Sequence, residues 1–180
     1  GRIGSHFWGH DFLGFAPDVV TLGKSMGNGH PVAGVIARPD VMAAFRNAFG
    51  YFNTFGGNPV SCAAAMAVLD VIAAENLTEN ARATGAYLLD RLRALSHPLI
   101  ADVRGYGLFL GVEMARNGQP APDFCETVVE MLKSRAILAG RVGRAQHILK
   151  IRPPLPFGRA HADMLADALI DILKELPDAQ

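Results

Sequence analysis

The stretch Pro17-Asp18-Val19-Val20-Thr21-Leu22-Gly23-Lys24-Ser25-Met26-Gly27-Asn28-Gly29-His30-Pro31 decides how this chain is read. Residues 17–22 form a β-branched apolar run bounded by turn formers, the pattern of a buried strand. The nine residues that follow hold three glycines, an Asn-Gly pair and a terminal proline, which predicts an irregular loop. A second strand-like run, Val32-Ala33-Gly34-Val35-Ile36-Ala37, comes next. Lys24 therefore stands directly at the carboxyl end of a strand, where α/β folds place their ligands.

An amine that is desolvated in such a position attacks carbonyls and forms a Schiff base, the chemistry that attaches pyridoxal phosphate. The flanking glycines leave room for a flat ring. The same local features also describe a solvated loop lysine, and both readings stand at this point.

Outward from this loop the chain changes texture. Pro39-Asp40 opens a short helix to residue 45. Asn58 reads as an N-cap with Pro59 at the first helical position. Residues 60–74 carry Val60, Ala64, Val68, Val71 and Ile72 at helical spacing, and their alanines suit close packing, so this helix is expected to be buried. Beyond residue 76 the pattern is ordinary α/β. Helices are expected over 77–95, 123–135 and 161–176, with strands at 100–104, 108–114 and 148–152. Pro153-Pro154 ends the last strand, because neither residue offers an N–H to a ladder. Residues 177–180 are expected to be disordered. The division falls near residue 76, with 1–76 as one domain part and 77–180 as a small carboxy-terminal α/β domain.

Composition narrows the function classes. The 180 residues hold 17 Lys+Arg against 17 Asp+Glu, so the basic surface needed for nucleic acid or an anionic membrane is not expected. Half the residues are hydrophobic, but no run nears the roughly 20 apolar residues of a membrane span. Cys62 and Cys125 form no CxxC, which argues against a disulfide framework or a zinc site and for a reducing, cytoplasmic setting. His6 and His10 have i,i+4 spacing, but Gly4, Trp8 and Gly9 oppose a helix there. No metal site is expected. Gly105-Tyr106-Gly107 is too short for a dinucleotide fingerprint, and no helix follows it.

Four blocks in register carry a resemblance. They are residues 15–35 around Lys24, Phe52-Asn53-Thr54-Phe55-Gly56-Gly57-Asn58-Pro59, Gly105-Tyr106-Gly107-Leu108-Phe109-Leu110-Gly111-Val112-Glu113, and Pro153-Pro154-Leu155. Together they resemble the class III pyridoxal-phosphate-dependent aminotransferases over essentially the whole chain. Met26-Gly27-Asn28-Gly29-His30-Pro31, Tyr51-Phe52-Asn53-Thr54 and Leu149-Lys150-Ile151-Arg152-Pro153-Pro154 look most like the alanine–glyoxylate-aminotransferase-2-like branch. That branch includes phospho-lyases acting on phosphoethanolamine and phosphohydroxylysine.

The resemblance implies an α/β fold: part of the large domain, plus the small carboxy-terminal domain, of a fold-type-I transferase. It implies pyridoxal 5'-phosphate as cofactor, Lys24 as its Schiff-base lysine, and Thr54 as a phosphate-binding hydroxyl reaching the neighbouring subunit's site. A homodimer or higher assembly follows. It also implies a substrate-binding role for Lys150 and Arg152. Many members place a carboxylate-binding arginine where this chain has Lys150, and a lysine offers only a point charge in place of a planar fork. Arg152 shares the strand parity of Lys150.

The implied activity is amino-group transfer from an amine or amino acid to an oxo acid. Phosphate elimination from a phosphorylated amine is one alternative, and a non-catalytic piece offering dimerisation and cofactor contacts is another. The family's acidic partner of the pyridine nitrogen would precede Gly1, and neither Asp11 nor Asp18 matches it. The chain is therefore expected to be a carboxy-terminal portion with little turnover by itself.

Overall fold

Strand β1 (Val19–Leu22) pairs antiparallel with β2 (Gly34–Ala37), Val19 opposite Ala37 and Leu22 opposite Gly34. This ribbon belongs to the first of two compact units into which the computed structural model divides. The structure describes residues 1–176; the stub 177–180, expected to be disordered, lies outside them. One unit is Trp8–Asn76, and the other joins Gly1–Phe7 to the chain from Leu77 onward. The first seven residues thus pack with the carboxy-terminal part and not with the segment that follows them.

In the Trp8–Asn76 unit, a short helix α1 (Gly9–Phe12) precedes β1, in a place where Gly9 and Trp8 argue against helix. Helix α2 (Pro39–Ala48) starts at its proline and runs a turn further than expected. Helix α3 (Pro59–Ala74) begins as the sequence predicts: Asn58 Oδ1 accepts the Ser61 N–H at 2.9 Å, and Pro59 occupies the first turn.

Two expectations about burial fail in this unit. Val19 on β1 is 45% exposed, and Val35 and Ile36 on β2 are exposed too. Helix α3 contains no buried residue; Ala64, Val68 and Ile72 are half-buried, while Val60, Met66, Leu69 and Val71 are exposed. The reason is that apolar residues go nearly all round this helix, and one neighbouring layer covers only one stripe of it. Hydrophobicity reports what a surface is suited to, not whether this unit supplies the cover. Gly27 is the one buried residue among those described in the unit.

The second unit has a conventional core. An antiparallel sheet runs β3 (Ile100–Tyr106), β4 (Phe109–Arg116), β7 (Ile148–Ile151), β6 (Gly140–Val142), with a two-residue β5 (Gln119–Pro120) beside β4. Alternation along β4 sends Leu110, Val112 and Met114 to one face, where Leu149 and Ile151 of β7 join them. Three helices close that face. They are α4 (Leu77–Arg93) through Leu88 and Leu92, α5 (Pro122–Ser134) through Phe124, Cys125, Val128 and Leu132, and α6 (Arg159–Glu175) through Leu165, Leu169 and Ile172. Each fully buried leucine contributes about 2 kcal/mol by leaving water. Burial also pushes the Cys125 thiol up to about 11, so it stays protonated and inert at neutral pH. Strand β6 was not anticipated, and β7, which it flanks, is an interior strand.

Two backbone details fix the loops of this unit. The β3–β4 turn presses against α4: a Cβ on Gly85 would lie 2.1 Å from the carbonyl oxygen of Gly107, which itself has φ +52. On its other side the Leu108 N–H donates to the Arg2 carbonyl at 2.9 Å. The Gly105-Tyr106-Gly107 block is therefore explained by close packing.

The loop after β7 is held by Asn80, whose side-chain amide donates to the carbonyls of Leu155 (2.7 Å) and Phe157 (3.0 Å) while its oxygen accepts from buried Thr84 (3.1 Å). The Arg2 guanidinium donates to the Pro153 carbonyl. Replacing Asn80 by Ala leaves these groups unpaired, and each buried orphan costs about 1–3 kcal/mol. Asn80→Ala is therefore expected to lower the chemical-denaturation midpoint of this unit clearly, with an unchanged m-value. An unchanged midpoint would show that water replaces the amide.

Among the described residues, no single helix is long and apolar enough to cross a membrane.

Candidate active site

Gly23 carries the chain out of β1 in an extended conformation, φ −179, and Lys24 then turns into the left-handed region at φ +48. A side chain in that region costs about 1 kcal/mol or more relative to ordinary backbone, and such strain gathers at functional positions. Residues Lys24–Gly27 form one turn of 3-10 helix, where glycine content argues for no regular structure at all. The turn closes on Asn28, itself left-handed at φ +46, with the Asn28 N–H donating to the Ser25 carbonyl at 3.1 Å. Gly27 is obligatory here, since a Cβ would stand 2.6 Å from Val32 Cγ1. The Lys24 ammonium is exposed and makes no hydrogen bond or ion pair among the described residues.

Thr54 lies in the turn that leads to α3. Asn53 Oδ1 accepts the N–H groups of Phe55 (3.1 Å) and Gly56 (2.9 Å), which shapes the turn and leaves the Thr54 hydroxyl exposed and without a hydrogen bond among the described residues. The lysine loop and this turn are linked. His30 Nε2 is 2.9 Å from Ser61 Oγ, Ser61 Oγ accepts from Asn58 Nδ2 at 3.0 Å, and Asn58 Nδ2 also donates to the Phe55 carbonyl at 2.8 Å. His30 and Ser61 were not singled out by sequence reasoning. The Asn58–Ser61 spacing signals the cap, but nothing local signals that His30 meets it.

Lys150 and Arg152 belong to the other unit. Across the sheet, Arg104 faces Gly111, Gly111 faces Lys150 and Lys150 faces Gly140. This row lies on the face opposite the helices. Glycines on both sides leave Lys150 without side-chain neighbours in its row, and its Nζ lies 3.4 Å from where a Gly140 Cβ would be. Arg104 is neutralised by Asp102 (2.5 Å) and Glu113 (2.6 Å), and that pairing holds the Glu113 carboxyl below the usual carboxylate range. Lys150 has no ion pair among the described residues. The Arg152 guanidinium sits over the Phe109 ring, 4.2 Å from its centroid. Burial, with the nearby charge of Arg152, lowers the pKa of Arg2. Lys150, Arg152 and Arg2 thus leave positive charge without a carboxylate partner.

The structure brings Lys24 and Thr54 into one hydrogen-bonded segment, and Lys150 and Arg152 onto one sheet. An open cavity of about 550 Å³ at the ends of α4 and α6, lined by Leu95, His97, Leu173 and Lys174 among others, contains none of the four. No group of three or more His, Cys, Asp or Glu residues suited to a metal occurs among the described residues.

The sequence profile described as Aminotransferase class-III matches residues 1–173. The chain belongs to this family. Ethanolamine-phosphate phospho-lyase homolog 1 of Caenorhabditis elegans is 41% identical over 181 residues, which cover 96% of this chain and 39% of that protein. Alanine–glyoxylate aminotransferase 2-like of Drosophila melanogaster is 41% identical over 170 residues, covering 91% and 34% respectively. A phospholyase from Arthrobacter, solved in complex with phosphoethanolamine, superposes with a TM-score of 0.94 at 41% identity, over 98% of this chain and 43% of that one.

The chain thus spans between a third and two fifths of the length of these curated relatives. Its α/β architecture is that of part of a fold-type-I enzyme, and the family works with pyridoxal phosphate. The residues in hand fit that group in kind: an unpaired amine at a strand end for the aldehyde, and an unbonded hydroxyl in a glycine-rich turn for the phosphate.

Proposed function

We propose that the whole protein carrying this chain is a pyridoxal-phosphate-dependent phospho-lyase acting on a small phosphorylated amine such as phosphoethanolamine. The observation that carries this reading is Lys150, an unpaired lysine between two glycines where substrate-carboxylate recognition would favour an arginine fork. A compact ammonium suits a phosphate. The closeness in fold to the phosphoethanolamine-bound Arthrobacter enzyme supports it. Transamination is the second reading, favoured by the similarity to the Drosophila aminotransferase-2-like protein.

Each residue has a stated task. Lys24 holds the cofactor through its amine and, once displaced by the substrate amine, moves the proton on the carbon next to nitrogen. Its backbone is held in the left-handed region at φ +48, directly after the strand end. Thr54 donates its hydroxyl to the cofactor phosphate. Lys150 and Arg152 attract the substrate's anionic group, and Phe109 steadies the Arg152 guanidinium from beneath. When bound, pyridoxal phosphate takes up the electron pair left on carbon after the proton is removed. In the lyase outcome the neighbouring C–O bond breaks, phosphate leaves with that bond's electrons, and water converts the two-carbon remainder to an aldehyde and ammonia. In the transaminase outcome no C–O bond would break: Lys24 would give back the proton it holds, water would release the oxo product, and the amino group would stay behind for an oxo acid to collect.

A homodimer is part of the proposal, with Thr54 serving the neighbouring subunit's site. The exposed Tyr51, Phe52 and Phe55 around Thr54 support it, because aromatic side chains at 68–85% exposure suit contact with another surface.

The test offers phosphoethanolamine to the whole protein and measures inorganic phosphate and pyridoxamine phosphate together. Phosphate release with ammonia and no pyridoxamine phosphate is expected. Accumulating pyridoxamine phosphate without phosphate release would establish transamination instead. In the same assay Lys150→Met is expected to raise KM by roughly ten- to a hundredfold, the worth of one charge-assisted hydrogen bond. An unchanged KM would remove Lys150 from the site.

A further inference from the structure

We infer that His30 is a positioning residue: through Ser61 and Asn58 it ties the Lys24 loop to the Thr54 turn and so sets the grip on the cofactor phosphate. The inference rests on the assignment of Thr54 to that phosphate.

The hydrogen bonds form one continuous chain. His30 closes the glycine-rich loop that Lys24 opens, and its Nε2 reaches Ser61 Oγ at 2.9 Å. Ser61 stands in the first turn of α3, where its N–H donates to Asn58 Oδ1 at 2.9 Å and its hydroxyl accepts from Asn58 Nδ2 at 3.0 Å. The same Nδ2 donates to the Phe55 carbonyl at 2.8 Å, one residue beyond Thr54.

The loop's backbone bonds, Met26 N–H to the Gly23 carbonyl, Asn28 N–H to Ser25 and His30 N–H to Gly27, close its own turns, while the His30–Ser61 pair is the side-chain hydrogen bond that ties it to α3. Gly23 and Gly29 give it freedom, Gly29 has φ +103, and a Cβ there would touch nothing within 4 Å. His30 is half-buried and its ring spans from the loop to the helix start. A hydrogen bond to a hydroxyl is directional, so it fixes angle as well as distance. Ser61 Oγ bonds both Asn58 and His30, which makes it the joint through which a shift of either segment reaches the other. Neither His30 nor Ser61 needs to touch the cofactor for this.

The test compares binding of pyridoxal phosphate with binding of pyridoxal, which lacks the phosphate, by visible-absorbance titration of the whole apo-protein. His30→Leu and Ser61→Ala are each expected to weaken pyridoxal phosphate about tenfold and to leave pyridoxal unchanged. Because both break one joint, the double variant is expected to be no weaker than either single one. His30→Gln, whose amide can reach Ser61, is expected to restore most of the affinity. Thermal melts of each variant accompany the titrations, since a purely structural role would lower Tm and weaken both ligands alike.

Equal losses for the two ligands, additive losses in the double variant, or no loss at all would overturn the inference. If Thr54→Ala fails to reduce the preference for the phosphorylated ligand, the assignment of Thr54 falls first and the inference with it.

Discussion

Replacing Lys24 by Ala is expected to abolish covalent cofactor attachment and to slow turnover of the whole protein by at least roughly a hundred- to ten-thousandfold, the worth of one positioned proton-transfer group. The two effects have one cause. In the proposed reading the amine that binds the aldehyde is also the amine that moves the proton, so no second residue keeps either task. Borohydride treatment followed by peptide mass analysis checks attachment. The wild type should carry the reduced adduct on the peptide containing Lys24, and the variant should carry none. An adduct of equal yield on another lysine in the variant would move the site elsewhere.

Fold effects do not confuse the result. Lys24 is exposed and makes no contact by hydrogen bond or ion pair among the described residues. A shorter side chain also relieves nothing at its left-handed backbone, because Ala bears the same Cβ. Stability of the variant is therefore expected to match the wild type, and the loss is chemical.

The second large effect is structural. Gly85→Ala puts a methyl 2.1 Å from the Gly107 carbonyl oxygen and 2.5 Å from its Cα, both backbone atoms. No rotamer change resolves a clash between a Cβ and backbone atoms, so α4 must move off the β3–β4 turn. That turn cannot yield on its far side, where Gly107 is also hemmed in by the carbonyls of Arg2 and Ile3. The expected cost is about 3 kcal/mol or more, which for a unit of this size lowers Tm by roughly 10–20 °C. Calorimetry or a circular-dichroism melt measures it. A fall of only a degree or two would mean that the helix and turn slide apart without loss of core contacts.

These two predictions differ in how far the sequence foretold them. The place of Lys24 at a strand end was legible, because a strand-like run, a glycine and a lysine occur in consecutive positions, while its proposed Schiff-base role came from the resemblance. The role proposed for Thr54 rests on resemblance alone, because a threonine in a turn carries no local signature of phosphate. Gly85 was invisible. It stands inside an amphipathic helix where glycine looks like a weak point, and its partner Gly107 is twenty-two positions away. The β3–β4 block looked like a motif of unknown purpose, and the fold gives it one: close passage of backbone against α4 and the Arg2 carbonyl.

The misjudged burial of α3 and β1 has a different origin. Hydropathy measures transfer free energy, a property of the side chain alone. Burial depends on which surfaces meet, and in the Trp8–Asn76 unit they meet along one stripe. Strand β6 escaped notice because Gly140-Arg141-Val142 has no alternation long enough to be read; its pairing with β7 creates it.

By itself the sequence determined the order of the longer elements, the helix start at Asn58-Pro59, the end of the last strand at Pro153-Pro154 and the lysine at the strand end. All follow from interactions within a few residues: φ restriction, missing N–H groups, capping and periodicity. Only the tertiary structure decided that His30 meets Ser61, that Lys150 lies between two glycines, that Asn80 holds the loop after β7, and that Gly85 leaves space for Gly107. Apart from Lys150 and Gly140, ten positions apart, those contacts join residues 22 to 77 positions apart. Such pairs meet because the core of the chain closes around them, and short-range preferences carry no information about distances of that kind.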